Sequence, residues 1–198
     1  MVLNGAPRSG KSSIAADIQR SFEGVWMNLG VDAFVREVTP ERYRPGIGLR
    51  PGRGERPELE PLVPRLYAAM YDSIAAHSRH GLNVVVDVGH HDRRVLADCA
   101  KRLEGLPVLF VGVRCPIEVI MERRNAGQPG REGGYAIGSE DDPIPLAVQR
   151  WQTEVHSVGP YDLEVDTSVL DPTACAAAIL QRLRNGPPPT AFARLAKL

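Results

Sequence analysis

The 198-residue sequence has no excess of either charge sign, with 24 Lys plus Arg against 24 Asp plus Glu. That balance removes the electrostatic reason to expect nucleic acid or an anionic membrane as the main partner. No basic stripe with interleaved aromatics supplies one instead. Also missing is any apolar run long enough to cross a bilayer. The first apolar residues, Met1-Val2-Leu3, give way at once to a Gly-containing loop. With no charged n-region, apolar h-region or cleavage site, a secretory leader is not expected and a cytoplasmic location is. Cysteine is scarce and odd in number: Cys99, Cys115 and Cys175 lie far apart in apolar stretches. This pattern suits reduced thiols rather than a disulfide framework, and no Cys/His spacing resembles a structural metal site. Internal repeats are absent as well.

What is present is enough apolar sequence, 43% of residues, for one sizeable core and one compact domain. Short apolar runs alternate with longer helix-like segments, the mark of an α/β protein whose parallel sheet is covered by helices. Strands are predicted at Val2-Asn4, Val25-Leu29, Asn83-Asp87, Val108-Val113 and Leu163-Asp166. The runs Val84-Val86 and Val108-Val111 have little alternation, as strands buried on both faces should. Helices are predicted at Lys11-Phe22, Leu59-His80, Arg93-Leu103, Pro116-Arg124, Pro145-His156 and Pro172-Arg184, with three prolines at starts where a missing N–H costs little. Two stretches break the pattern, about 39–57 and about 124–142; both are rich in Gly, Pro and charge, as functional loops and lids often are. The expected organisation is one domain over 1–184 and a tail over 185–198 that follows Pro187-Pro188-Pro189.

Between the first strand and the first helix stands Gly5-Ala6-Pro7-Arg8-Ser9-Gly10-Lys11-Ser12, followed by Ser13. A loop of this form turns consecutive backbone N–H groups inward around a polyphosphate, aided by the helix N-terminus. Lys11 would reach the β- and γ-phosphates and Ser12 would hold Mg²⁺. An accidental Gly-rich turn with a solvated lysine is the bland alternative, and the strand-loop-helix context weighs against it.

In an open parallel sheet ligands meet the carboxyl ends of the strands, so acids there carry special weight. Asp87 ends the third strand and reads as the acid that orients Mg²⁺, or as a turn or cap residue. Asp32 follows the second strand and precedes a short helix-like run. It reads either as an N-cap or as a general base for an acceptor hydroxyl. His90, His91 and Asp92 follow Asp87, where they could hold a metal, line an acceptor pocket or form a polar loop. Arginines near a phosphate loop can clamp a transferred phosphoryl group; Arg123, Arg124 and Arg131 are the candidates, with Arg124 best suited to a solvated helix end. Arg114, beyond the fourth strand, could stack on a nucleobase or form an ion pair. Within 39–57, Arg42, Arg44, Arg50, Arg53 and Arg56 outnumber Glu41 and Glu55, as in a solvated loop or one that recognises an anionic acceptor.

Several of these pieces together resemble a known family. Leu3-Asn-Gly with the phosphate loop, Leu29-Gly-Val-Asp32, Val111-Gly-Val-Arg-Cys115, Glu122-Arg123, and Val155-His156 leading to Tyr161-Asp-Leu-Glu-Val-Asp-Thr167 are similar to the chloramphenicol phosphotransferase-like kinases. The resemblance runs from the first strand to about Ser168. It implies a P-loop NTPase-type three-layer α/β/α fold with a five-stranded parallel sheet, like shikimate and adenylate kinases, and ATP with Mg²⁺ as cofactors. It implies Asp32 as the base, Arg114 near the nucleobase, Thr167 on the adenine side, and Arg123 and Arg131 in a closing lid. Two features depart from the family pattern. Val88 stands where a second acid follows the strand-three Asp, and the 39–57 stretch is Arg- and Pro-rich where the founding enzyme is acidic and Gly-rich. The implied activity is phosphoryl transfer from ATP to a hydroxyl of a small molecule, an antibiotic or a metabolite. A nucleotide kinase with an anionic acceptor and a non-catalytic nucleotide switch are the alternatives.

Overall fold

The computed structural model describes residues 1–43, 57–127 and 136–197. Five strands, β1 (Val2–Asn4), β2 (Trp26–Asn28), β3 (Asn83–Val88), β4 (Phe110–Arg114) and β5 (Leu163–Asp166), form one parallel sheet in the order β2-β3-β1-β4-β5. The first strand is therefore central, with Val2 opposite both Val86 and Phe110. Its neighbours carry the acids and arginines that follow. The fourth strand begins later than predicted because Pro107 interrupts the run and the Val108 N–H closes a turn onto Leu106 O at 2.9 Å. Its last residue is Arg114, which is thus inside the ladder and not beyond it.

Successive strand residues point to opposite faces, and helices cover both. Leu3, Val85, Val111 and Val113 pack with Ile14, Ile18 and Ile179, on α1 (Lys11–Ser21) and α7 (Pro172–Asn185). Val2, Val84, Val86 and Phe110 pack on the other face with Met70, Tyr71 and Leu96, from α3 (Val63–Arg79) and α4 (Arg93–Arg102). The third helix was predicted from Leu59, but Pro61 and Pro64 delay it. Residues Pro57–Leu62 form a 3-10 turn, and Pro64 falls in the first turn of α3, where its missing N–H is harmless. After β2 a short helix, α2 (Val31–Ala33), runs into a π-turn over Phe34–Val38. On the other side of the phosphate loop, α5 (Ile117–Asn125) and α6 (Leu146–Glu154) make a third cluster with Ala6, Cys115, Ile120, Met121 and Val148.

The stretch after Asn185 returns to the body. Helix α8 (Ala191–Leu195) buries Ala191, Phe192 and Leu195 in the layer that holds α3 and α4, with Phe192 edge-on to Phe110 at 5.1 Å between ring centres. Burying one such ring stabilises by about 1.5–3 kcal/mol. Asp162 fixes the entry, accepting from the N–H groups of Thr190 at 2.7 Å and Ala191 at 3.0 Å. Among the described residues no helix is long and apolar enough to cross a membrane.

Candidate active site

The loop between β1 and α1 has a backbone that ordinary residues resist. Gly10 sits at φ 94°, where glycine has no steric penalty, and Arg8 adopts φ 74°, at a cost of about 1–3 kcal/mol for a residue with a side chain. The loop lies hard on β4: a Cβ on Gly5 would come 2.5 Å from Val113 O. Lys11 Nζ donates to Gly5 O at 2.9 Å and Ala6 O at 2.8 Å. Burial pulls its pKa down to about 8, with the charges of Asp87 and Asp32 opposing that shift and Arg124 adding to it. Ser9 Oγ is buried without a hydrogen-bond partner. An orphaned hydroxyl, a left-handed turn and a buried lysine in one loop are what a polyphosphate would satisfy.

Both acids lie close enough for their charges to act on this lysine. Ser12 Oγ donates to Asp87 Oδ2 at 2.5 Å, which joins the two predicted Mg²⁺ residues. The Asp87 carboxylate fits against a glycine backbone: a Cβ on Gly30 would lie 1.7 Å from Asp87 Oδ1. That contact exists because β2 pairs with β3, so the turn after β2 passes over the end of β3. Gly30 occupies the N-cap position of α2, and its N–H donates to Asn28 Oδ1 at 3.0 Å. Asp32 lies two residues further along, inside the helix, so the capping role weighed for it falls to Gly30 and its own charge acts on Lys11. Among the described residues no three His, Cys, Asp or Glu side chains form a preformed metal cluster. Ser12 and Asp87 nevertheless fit Mg²⁺, which keeps most of its waters and takes few protein ligands.

The three residues after Gly89 take three different roles. Asp92 caps α4, accepting from Arg94 N–H at 2.7 Å. His90 is buried: its Nε2 shares a 3.1 Å hydrogen bond with the Tyr71 hydroxyl, and its N–H donates to Asn4 Oδ1 at 2.6 Å. Desolvation, aided by His91, pushes the His90 pKa down to about 3, so it is a neutral core residue. The Asn4 amide nitrogen in turn reaches His90 O at 3.2 Å, Val155 O at 3.0 Å and the Tyr161 hydroxyl at 3.0 Å. His91 instead faces Trp151 of α6, with ring centres 4.5 Å apart.

The arginines sort differently from the sequence expectation. Arg123 is a brace behind the loop. It donates to Thr167 O at 2.7 Å, Thr167 Oγ1 at 3.1 Å, Arg8 O at 3.3 Å and Cys115 Sγ at 3.4 Å. Arg8 returns the contact, donating to the carbonyls of Arg123 and Gly127 at the end of α5. Thr167 completes the brace from β5, its Oγ1 donating to Ser9 O at 2.8 Å, so it supports the loop itself. The inward-facing residue is Arg124, buried, with one Nη donating to Ala136 O at 3.2 Å and its charge felt at Lys11. The solvated helix end expected for Arg124 is thereby overturned, because the residue falls on the same helical stripe as Ile117 and Met121, which pack inward. Arg114 takes the ion-pair alternative, a fork onto Glu164 at 2.7 and 3.2 Å that lies over Tyr161 and holds the Glu164 carboxyl below its usual range. Arg131, and Arg44, Arg50, Arg53 and Arg56 of the 39–57 stretch, lie outside the described residues.

Known proteins share this architecture. Two curated relatives from Mycobacterium tuberculosis, strains CDC 1551/Oshkosh and H37Rv, bear names that propose an O-phosphotransferase. Each is 28% identical over all of this chain and 87% of its own. A sugar kinase from Janibacter sp. HTCC2649 superposes with a TM-score of 0.60 at 19% identity, covering 92% of each chain. The shikimate kinase of Acinetobacter baumannii, solved with shikimate, does so at 0.59 and 12% identity, covering 92% of this chain and 90% of its own. At such identities the two structures establish the fold, that of the P-loop kinases. The family model described as chloramphenicol phosphotransferase-like protein matches residues 1–184. Because that match takes in the phosphate loop, both acids and all five strands, the chain belongs to the chloramphenicol phosphotransferase-like family of P-loop kinases and phosphotransferases.

Proposed function

We propose that the protein is an ATP-dependent O-phosphotransferase that moves the γ-phosphoryl group of ATP to a hydroxyl of a small molecule, an antibiotic or a metabolite. The observation that carries this reading is that the turn bearing Asp32 packs on Asp87 through Gly30, while Asp87 accepts a hydrogen bond from Ser12 of the phosphate loop. A loop that only binds nucleotide needs one acid for its metal, whereas a second acid on the neighbouring turn suits an acceptor hydroxyl.

In this reading the two acids divide the work. Ser12 and Asp87 would hold Mg²⁺, which when bound supplies charge neutralisation between the donor phosphates. Asp32 accepts the proton of the acceptor hydroxyl as its oxygen attacks the γ-phosphorus in line with the departing ADP. Lys11 and Arg124 offset the negative charge on the transferred group, Arg124 in place of Arg123, whose guanidinium is committed to the brace. Arg131 remains a candidate for the same work from the lid, as the family resemblance implies.

The test is Asp32→Asn. Acceptor-dependent ADP release should fall by about 10²–10⁴-fold, the usual worth of a positioned base, while the affinity for an ATP analogue stays within twofold. Assaying chloramphenicol beside a panel of metabolite alcohols identifies the acceptor. Intact turnover in Asp32→Asn would remove Asp32 from the mechanism.

A further inference from the structure

Among the described residues a single one that is not glycine has a left-handed backbone, Arg8 of the phosphate loop, at φ 74°. The loop's other left-handed residue, Gly10, adopts φ 94° with no side chain to resist it. Glycine at position 8 would form the same turn without strain, so the shape of the loop requires no side chain there. Strain kept at such a position belongs with a task for the side chain.

That side chain leaves the loop and ends on α5. Its Nη2 donates to the carbonyls of Arg123 and, at 3.0 Å, Gly127. The end of the helix leaves Arg123 O open to it: Gly127 turns at φ 72°, and its N–H goes to Arg124 O at 3.0 Å in place of the bond to Arg123 O that would continue the helix. A guanidinium at the carboxyl end of a helix also meets the negative pole of the helix dipole. Arg123 returns the contact, its Nη1 donating to Arg8 O at 3.3 Å. Loop and helix end are therefore clasped from both directions.

The last turn of α5 is also where the chain comes back. Arg124 donates to Ala136 O at 3.2 Å, and Asn125 Oδ1 accepts from Gly138 N–H at 3.0 Å. A Cβ on Gly138 would lie 3.3 Å from Met121 Cε, so the returning chain rests against the helix. Arg124 is buried there, and its charge acts on Lys11. The place of this buried cation relative to the phosphate loop is set by the helix turn that Arg8 grips. We propose that Arg8 is a positioning residue: by fastening the last turn of α5 to the phosphate loop it holds Arg124 beside the terminal phosphate of a bound triphosphate, and so sets both the preference for triphosphate over diphosphate and the rate of transfer. The effect on transfer rests on the phosphotransferase reading, whereas the preference between nucleotides is measured by binding alone.

Arg8→Gly removes the clasp while relaxing the backbone, so the variant should fold with a Tm close to that of the wild type. Its affinity for a non-hydrolysable ATP analogue should fall about tenfold relative to its affinity for ADP, and kcat for acceptor-dependent ADP release should fall about tenfold with the acceptor KM little changed. Arg8→Lys keeps the charge on a shorter side chain and should show the same loss in smaller degree. Arg124→Gln should reproduce the loss, and joining it to Arg8→Gly should add less than about twofold, because residues that act through one contact are not additive. Wild-type preference and kcat in Arg8→Gly, or a loss shared equally by the ATP analogue and ADP, would overturn the proposal. So would a second, full loss when the two variants are combined, which would show that Arg8 shapes the loop itself. If the wild-type chain transfers phosphate to no alcohol, yet Arg8→Gly loses its triphosphate preference through Arg124, the positioning role stands and the phosphotransferase reading falls.

Discussion

Gly30→Ala separates the chemistry of the site from the stability of the fold. The Gly30 backbone, at φ −63° and ψ 161°, is open to any residue, so alanine introduces no backbone strain. Its methyl carbon, however, would lie 1.7 Å from Asp87 Oδ1 and 2.9 Å from the carboxyl carbon. An ordinary carbon–oxygen contact begins near 3.4 Å, so the carboxylate must retreat by roughly 1.5 Å, which breaks its 2.5 Å bond with Ser12. Misplacing a reacting group by about 1 Å can cost about 100-fold in rate. Loss of an exposed hydrogen bond and of the glycine cap should cost only about 1 kcal/mol, a drop in Tm of about 2–4 °C for a chain of this length. The expected variant is folded, about 100-fold slower in acceptor-dependent ADP release, and half-saturated only at raised Mg²⁺. The assay is coupled ADP release across a Mg²⁺ titration, with thermal melting alongside. Combining Gly30→Ala with Asp87→Ala should add little further loss if the glycine acts through that carboxylate. Wild-type turnover with an unchanged Mg²⁺ curve in Gly30→Ala would refute the whole chain of reasoning.

Two further outcomes follow from the donor side. Lys11 is held near a pKa of about 8 by burial, and a triphosphate binds its charged form. Nucleotide affinity should therefore be flat below about pH 7 and weaken about tenfold per pH unit above 8; a fluorescent ATP analogue titrated from pH 6.5 to 9.5 reads this, and constant affinity up to 9.5 would contradict it. Arg123→Gln removes the donors that tie Arg8 O to Thr167 and should weaken nucleotide binding about tenfold. Arg123→Lys should rescue it poorly because an ammonium cannot reproduce the fork, and an ATP-analogue affinity equal to wild type in both variants would dismiss the brace.

The phosphate-loop part of the candidate site was legible because it is local. Eight consecutive residues define the phosphate loop, and the flanking strand and helix can be read from the same stretch. Asp32 and Asp87 were legible through one general rule, that parallel strands present their carboxyl ends to ligands. What escaped depends on contacts distant in sequence. Nothing near Arg114 announces Glu164, which pairs with it only because β5 lies beside β4. The role of Gly30 requires knowing that β2 neighbours β3. Arg123 and Arg124 are adjacent and chemically identical, and only the direction of the helix turns one to the brace and the other inward. The docking of α8 was hidden by its brevity, since five residues after a run of prolines show too little periodicity to reveal a buried face.

Asn4 explains why these distant contacts matter to the chemistry. It immediately precedes the phosphate loop, and its buried amide joins the His90 turn, the end of α6 at Val155, and Tyr161. Pulling α6 or the His90 turn away from the loop would strand part of that amide, at about 1–3 kcal/mol for each group left unsatisfied. The same turn carries His91, and α6 carries Trp151. This aromatic pair is thus tied through one side chain to the loop that positions Lys11, and its distance from the lysine is set by the core.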